Sequence, residues 1–357
     1  MNKTVIAVIF GGYSPEYSVS LNSAYSVINA IDRSKYDIVM VGITNDGKWY
    51  VYDGSVEDIP NDKWSANTNQ LKKAFVSPDR GGGLMVADGE QVNPLQVDVA
   101  FPVLHGRYGE DGTVQGLFEL ANIPVVGSGS ASSALCMDKD RAHMIVSHAG
   151  ITVPKSVCFY HVPTDEEVIE AVQTLTLPLF VKPVKAGSSI GTTKQLEYAN
   201  VPKAVKNAFK YDDAVIIEES IEHKEVGCAV IGNFELQTGR VNEIEVAPGT
   251  FFDYEEKYTL KTSKIITPAR IDAESERKVQ ETAKQIYRLL GCRGYARIDM
   301  FLTDKGDVVF SEANTIPGFT AHSQLPRMMK AVGVEYPQLV EKLIGLAVQV
   351  EKGEWYG

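Results

Sequence analysis

At 357 residues the chain is long for one hydrophobic core, so two or three domains are expected. Its 44% apolar and 23% charged residues are those of an ordinary soluble globular protein, not a disordered or fibrous one. A net charge of -11 argues against nucleic acid or an anionic membrane as partner, while leaving room for a small basic cleft that takes phosphate.

The chain opens on MNKTVIAVIFGG, an apolar strand meeting Gly-Gly rather than a cleavable leader, and no apolar stretch reaches the length of a membrane span. VSLNSAYSVINAI then has helical spacing, and YDIVMVGIT reads as a second buried strand. NDGKWYVYD predicts a turn into an edge strand, and residues 54–96, polar and rich in glycine, a surface excursion. VDVAFPVLHG restores a buried strand, and TVQGLFELANIPVVG continues with helix and strand. This βα alternation predicts a parallel sheet with ligands at the carboxyl ends of its strands.

Further on, SSALCMDKDRAHMIVSHAG predicts one long helix, and PLFVKPV a strand that breaks into the loop KAGSSIG. Strand pairs around helices make this segment α+β. The last segment carries meander-like strands, an irregular stretch (PGTFFDYEEKYTLKTSK), the helix DAESERKVQETAKQIYRLLG, a hairpin and two closing helices. Cys136, Cys158, Cys228 and Cys292 lack metal spacing and read as buried small side chains in a reducing cytoplasm.

The hairpin RIDMFLT–DKGD–VVFSEAN is where chemistry gathers. A tight turn centred on Lys305-Gly306 would set Asp299 opposite Glu312 and Arg297 opposite Asn314, all on one face. Facing carboxylates with Cβ atoms roughly 5 Å apart repel each other. A divalent cation held by two carboxylates and an amide oxygen would remove that conflict, and Mg²⁺ suits this donor set better than Zn²⁺. The alternative is a solvated edge hairpin whose charges pair with Arg297.

Lys182 on its strand, with Ser188 and Ser189 in the glycine loop, could cradle a phosphate, although a polar turn would look the same. Glu218, Glu219 and Glu225 at a strand end could hold the amino group and hydroxyls of a nucleoside, or simply be exposed. FGGYSPEYSVSLNS lacks GxGxxG, yet its helix N-terminus suits an anion or a small zwitterion. HGRYGEDGTVQG is read as a tight connection. His143 and His148 fall within a helix and are read as structural. His105, ending a parallel strand, is the one histidine placed near a site.

Taken together, GGYSPEYSVSL, HGRYGEDGTVQG, MDKDRAH, FVKPVKAGSSIG, FFDYEEKY, RIDMF and EANTIPGFTAHS, in this order over nearly the whole chain, resemble the D-alanine–D-alanine ligase family of the ATP-grasp superfamily. Within it the chain is most similar to the vancomycin-resistance branch that makes D-alanyl-D-serine.

The resemblance implies three domains: an N-terminal α/β substrate domain over 1–122, a central subdomain over 123–217, and a C-terminal subdomain over 218–357 with the metal site and a lid loop. It implies ATP and Mg²⁺, or Mn²⁺ in its place, with Lys139, Lys182, Glu218, Glu219 and Glu225 around the nucleotide and Ser188 and Ser189 in the phosphate loop. Asp299, Glu312 and Asn314 would be the metal ligands. Glu16 would bind the ammonium of the first D-alanine. Arg297 and the Gly318 amide would stabilise an oxyanion, and Ser323 would contact the carboxylate of the second substrate. Lys257 and Tyr258 would close the lid, with Tyr258 tied to Glu16 and Ser188.

The implied activity is ATP-dependent joining of D-alanine to D-serine or to a second D-alanine, through a D-alanyl phosphate, for a peptidoglycan precursor. Lys257-Tyr258 argues against D-lactate. Gln324 fits neither the leucine of ordinary D-alanine ligases nor the arginine of D-serine ligases, and its amide could bind a serine hydroxyl. Ser18 stands where many relatives carry a second acid. A cytoplasmic homodimer is expected. The rivals are another ATP-grasp carboxylate–amine ligase and a nucleotide-binding module without catalysis.

Overall fold

The computed structural model describes residues 3–222, 224–246 and 263–351. Lys257 and Tyr258, expected on the lid, lie outside the described residues.

The first sheet grows from β1 (Thr4–Gly11), in which Ile6 to Phe10 are all buried. Burial on both faces is what a central parallel strand requires. Helix α1 (Tyr17–Ala30) leads to β2 (Tyr36–Ile43), parallel to β1, and β3 (Trp49–Tyr52) turns back antiparallel. The stretch after it departs from expectation. Beyond the short helix α2 (Lys63–Ala66), the strands β4 (Leu71–Val76), β5 (Leu84–Asp88) and β6 (Gln91–Leu95) extend the sheet as an antiparallel meander. Its glycines make the turns between strands, which is why local composition reads as loop. β7 (Val99–Pro102) pairs parallel with the other edge of β1, and α3 (Thr113–Leu120) follows.

The expected single helix divides into α4 (Ser130–Met137) and α5 (Lys139–His148). Asp138 at the break is extended (φ -86°, ψ 95°), and its carboxylate accepts the Arg141 N–H at 3.0 Å as the N-cap of α5. The second sheet comprises β8 (Ser156–Phe159), β9 (Leu179–Pro183), β10 (Thr193–Gln195) and β11 (Val215–Glu219), all antiparallel. Helices α6 (Asp165–Val172) and α7 (Val201–Ala208) cover it.

The third sheet is antiparallel too. It contains β12 (Lys224–Ile231), the short β13 (Gln237–Thr238), β14 (Asn242–Glu245), β15 (Lys264–Ile266), β16 (Tyr295–Leu302) and β17 (Val308–Asn314). Helix α8 (Ala273–Leu289) buries Val279, Ala283, Ile286 and Tyr287 against this sheet, a stripe at helical spacing. Helices α9 (Gln324–Lys330) and α10 (Tyr336–Glu351) return to the first sheet, where Leu325, Leu339 and Leu343 share a core with Ile6, Val8 and Leu21. This return packs α10 against α1 and β7. Among the described residues no helix is long and apolar enough to cross a membrane.

Candidate active site

The β16–β17 hairpin sets Arg297 opposite Asn314 and Asp299 opposite Glu312, as expected, but the turn is not the expected one. Thr303 to Asp307 close the loop, with Gly306 at φ 78°, and near the turn the pairing is one residue out: Met300 faces Phe310 and Leu302 faces Val308. A β-bulge restores the register, leaving Ser311 across from no residue of β16. The bulge also decides faces. Val308 and Phe310 lie in the core beneath the sheet, so an unbroken alternation would carry Glu312 there with them. The extra residue gives the core position to Ala313 and turns Glu312 towards the site.

Asp299 is buried and takes both Nε and Nη2 of Arg297 at 2.7 Å. Burial opposes the charge on Arg297, and the Asp299 carboxylate more than offsets this, holding the guanidinium above its ordinary pKa. Asn314 Nδ2 donates to Asp299 Oδ2 at 2.8 Å, which turns the Asn314 carbonyl oxygen outward. Glu312 pairs with Lys139 at 3.3 Å.

The two carboxylates stand between two cavities. On one side lies a space of about 970 Å³ between the second and third sheets, lined by Lys139, Lys182, Ser189, Glu218, Glu219, Glu225 and Glu312. Lys182 pairs with Glu218 at 2.7 Å, and the Lys139 ammonium donates to the Ala186 carbonyl at 2.9 Å, tying α5 to the glycine loop. Glu219 is drawn partly aside, accepting the Thr176 N–H at 2.8 Å. In that loop Ser188 and Ser189 both adopt left-handed backbone (φ 51° and 57°), uncommon for residues other than glycine and a mark of functional loops.

On the other side a cavity of about 390 Å³ is lined by Glu16, His105, Ser188, Arg297, Asp299, Asn314, Gly318, Ser323 and Gln324. Glu16 sits at the N-terminus of α1 and accepts a hydrogen bond from Ser188, so the glycine loop and the first sheet meet there. Gly106 makes room for it: at φ 73°, a Cβ would stand 2.4 Å from Glu16 Oε2. His105 Nδ1 lies 2.9 Å from the Ile316 carbonyl and so carries the proton, and Nε2 takes the Ser23 hydroxyl at 3.2 Å. Burial lowers its pKa and keeps it neutral. It pins the loop that carries Gly318 instead of facing the cavity as a charge.

Two residues here escaped the sequence reading. Glu110, taken as part of a tight connection, is half-buried and accepts N–H groups of Gly106 (2.8 Å) and Ile316 (3.3 Å). Burial, then the charge of Glu16, push its pKa up to about 8. The available signal was a carboxylate in a glycine-rich turn after a buried strand. Asn242, fully buried on β14, had no local signal. Its Oδ1 accepts the Gly227 N–H at 2.8 Å, so its Nδ2 is the donor to Gln324, at 2.8 Å. A backbone donor has only one role, so the contact atom on Gln324 is Oε1, and its NH₂ group is left for the cavity. Gly227 permits the approach, since a Cβ there would stand 2.6 Å from Asn242 Oδ1.

Among the described residues no three His, Cys, Asp or Glu side chains converge as a metal cluster. The donor set is two carboxylates and one outward amide oxygen, all hard, and three of the roughly four lone-pair sites of Asp299 are taken by Arg297 and Asn314. These residues fit Mg²⁺, which keeps several waters and binds through one or two carboxylates plus phosphate oxygens.

Residues 5–128 match the family model described as D-ala D-ala ligase N-terminus, and residues 145–345 the one described as D-ala D-ala ligase C-terminus. The chain is 44% identical to the vancomycin C-type resistance protein VanC2 of Enterococcus casseliflavus, over 97% of this chain and 99% of that one. It is 40% identical to a D-alanine–D-alanine ligase of Caldicellulosiruptor bescii, over 98% and 96%. The fold is similar to the crystal structure of the VanG D-Ala:D-Ser ligase from Enterococcus faecalis, with a TM-score of 0.90, 53% identity, and coverage of 97% of this chain and all of that one.

Proposed function

This chain belongs to the D-alanine–D-alanine ligase family and has its ATP-grasp architecture, and we propose that it uses ATP to join D-alanine to D-serine for a peptidoglycan precursor. The observation that carries D-serine is the orientation of Gln324, whose amide NH₂ is aimed at the cavity by Asn242. A serine hydroxyl oxygen accepts such a donor, whereas an alanine methyl would leave it without a partner once the site is dry. Hydroxyl discrimination is strong when the site holds a polar group that would otherwise be buried unpaired.

ATP occupies the larger cavity, where Lys139 and Lys182 face its phosphates and Glu218, Glu219 and Glu225 its nucleoside. The backbone of the Ser188–Ser189 loop covers the phosphates. D-Alanine lies in the smaller cavity with its ammonium on Glu16 and its carboxylate towards the boundary between the two. That carboxylate attacks the γ-phosphoryl group, the bond from the γ-phosphorus to the bridging oxygen breaks, and D-alanyl phosphate forms with ADP as the leaving group. Asp299, Glu312 and Asn314 would hold Mg²⁺, which when bound neutralises charge on the phosphate oxygens. The protein's part is positioning and electrostatics.

The D-serine amine, as the neutral base, then attacks the acyl carbon. The tetrahedral adduct collapses by breaking the acyl C–O bond, expelling inorganic phosphate as the new amide nitrogen gives up a proton. Arg297 spends Nε and Nη2 on Asp299, and Nη1, which makes no hydrogen bond among the described residues, is left with the Gly318 amide for the tetrahedral oxyanion. Ser323, at the start of α9, receives the D-serine carboxylate. Water must be kept out while the acyl phosphate exists, and we assign this to Lys257 and Tyr258.

The test supplies purified protein with ATP, Mg²⁺, D-alanine and equimolar D-serine and identifies the dipeptides by mass. D-Alanyl-D-serine is the expected main product, and Gln324→Leu should shift the ratio towards D-alanyl-D-alanine by about ten-fold or more, within the range of one unpaired buried polar group. An unmoved ratio would remove Gln324 as selector. Absence of phosphate release with any D-amino acid would reduce the chain to a nucleotide-binding module.

A further inference from the structure

The β-bulge at Ser311 decides which way Glu312 points, and a bulge in a buried strand frees a carbonyl that must find a donor elsewhere. The donor is His143. This side chain, 3% exposed on α5, places Nε2 at 2.7 Å from the Ser311 carbonyl oxygen, and its ring packs edge-on against Phe310 at 5.5 Å. It stands one helical turn after Lys139, whose ammonium pairs with Glu312. Consecutive residues of β17 are therefore addressed by consecutive turns of one helix: Lys139 meets the Glu312 carboxylate, and His143 meets the backbone just before it. The other ring nitrogen, Nδ1, lies 3.8 Å from Glu218 Oε1, and neither atom has a hydrogen-bond partner among the described residues. The imidazole thus fills the space between the nucleotide-side carboxylate and the bulge, with its single N–H committed to the bulge.

We propose that His143 is a positioning residue for the metal site: by holding the Ser311 carbonyl it fixes the bulge that turns Glu312 out of the core and across from Asp299. This rests on the reading of Asp299 and Glu312 as metal ligands. His143 touches neither metal nor substrate in this scheme, and acts through the backbone of β17.

The experiment measures Mn²⁺ bound in the presence of a non-hydrolysable ATP analogue, by the electron paramagnetic resonance signal of free Mn²⁺. The parent, His143→Phe and His143→Gln are compared, with thermal melts alongside. Phe keeps the volume and loses the donor, whereas the Gln amide reaches about as far as Nε2. His143→Phe should weaken Mn²⁺ binding by about ten-fold, the low end for groups that orient metal ligands, and His143→Gln should recover most of it. In turnover assays the Mg²⁺ needed for half-maximal rate should rise in step in the Phe variant, with KM for D-alanine unchanged. If His143→Phe does not fold, His143→Asn, too short to reach Ser311, takes its place against His143→Gln. Equal Mn²⁺ affinity in parent and donor-less variant would overturn the role of His143 alone. No Mn²⁺ binding by the parent would overturn the metal reading and this inference with it.

Discussion

The carboxyl of Glu110 shows how a residue's state is set by what surrounds it. Its pKa of about 8 lies above the ordinary 4.5 because burial and the neighbouring Glu16 both disfavour its charge. Such a group binds its proton more tightly in the native chain than in the unfolded one. Unfolded chains ionise as pH rises past about 4.5 while the native ones stay protonated, so Glu110 lowers stability progressively up to about pH 8. Urea denaturation should therefore show a stability decrease between pH 5 and pH 8 that Glu110→Gln flattens. A parallel decrease in the variant would show that other groups cause it. Neither this state nor the role of Asn242 was legible beforehand, because both depend on neighbours such as Gly227, Ile316 and Gln324 that are remote along the chain. The Asp299–Glu312 pairing was expected from a turn that the structure does not have, and it holds because the bulge at Ser311 makes up the one-residue difference.

At the scale of elements, Asp138 separates two helices that periodicity alone merges. Its extended backbone redirects the chain so that α5 presents Lys139 and His143 to β17. Asp138→Ala should destabilise the protein by about 1 kcal/mol, the usual cost of a lost N-cap, and should raise KM for ATP by loosening Lys139. Asp138→Asn retains the acceptor and should stay close to the parent. Chemical denaturation with steady-state kinetics checks both, and an Ala variant with unaltered KM would separate the cap from the site. The signal was present as an Asp before a polar turn, but an uninterrupted helical pattern on both sides outweighed it. The meander of β4 to β6 was missed for a similar reason: polar edge strands joined by glycine turns look locally like loop, and their pairing with β3 is a long-range choice.

The molecule as a whole is held at the site by the packing of its last helices on its first sheet. Phe319, fully buried, meets Phe101 of β7, Tyr295 of β16 and Tyr336 of α10, and the Tyr336 hydroxyl donates to the Phe319 carbonyl at 2.6 Å. The neighbouring Gly318 is thereby anchored to the first sheet, the third sheet and the terminal helix at once. Phe319→Ala should cost about 3–5 kcal/mol of stability, as a large cavity in such a core does. It should also lower kcat more than it raises KM for ATP, because the Gly318 loop proposed to meet the oxyanion moves while the cavity proposed for the nucleotide does not. Equal effects on both constants would place Phe319 in general stability only.

By itself the sequence determined the order of the elements around β1 and the two closing helices, which follow from alternation, turn chemistry and spacing acting over a few residues, and, through the resemblance of its ordered motifs, the family. Only the tertiary structure decided that Ser311 is bulged, that Asn242 aims the Gln324 amide, that His105 is held neutral against Ile316, and that Glu110 feels the charge of Glu16. Each depends on a hydrogen-bond partner or a desolvating surface supplied by a distant part of the chain, and burial is a property of the assembled core.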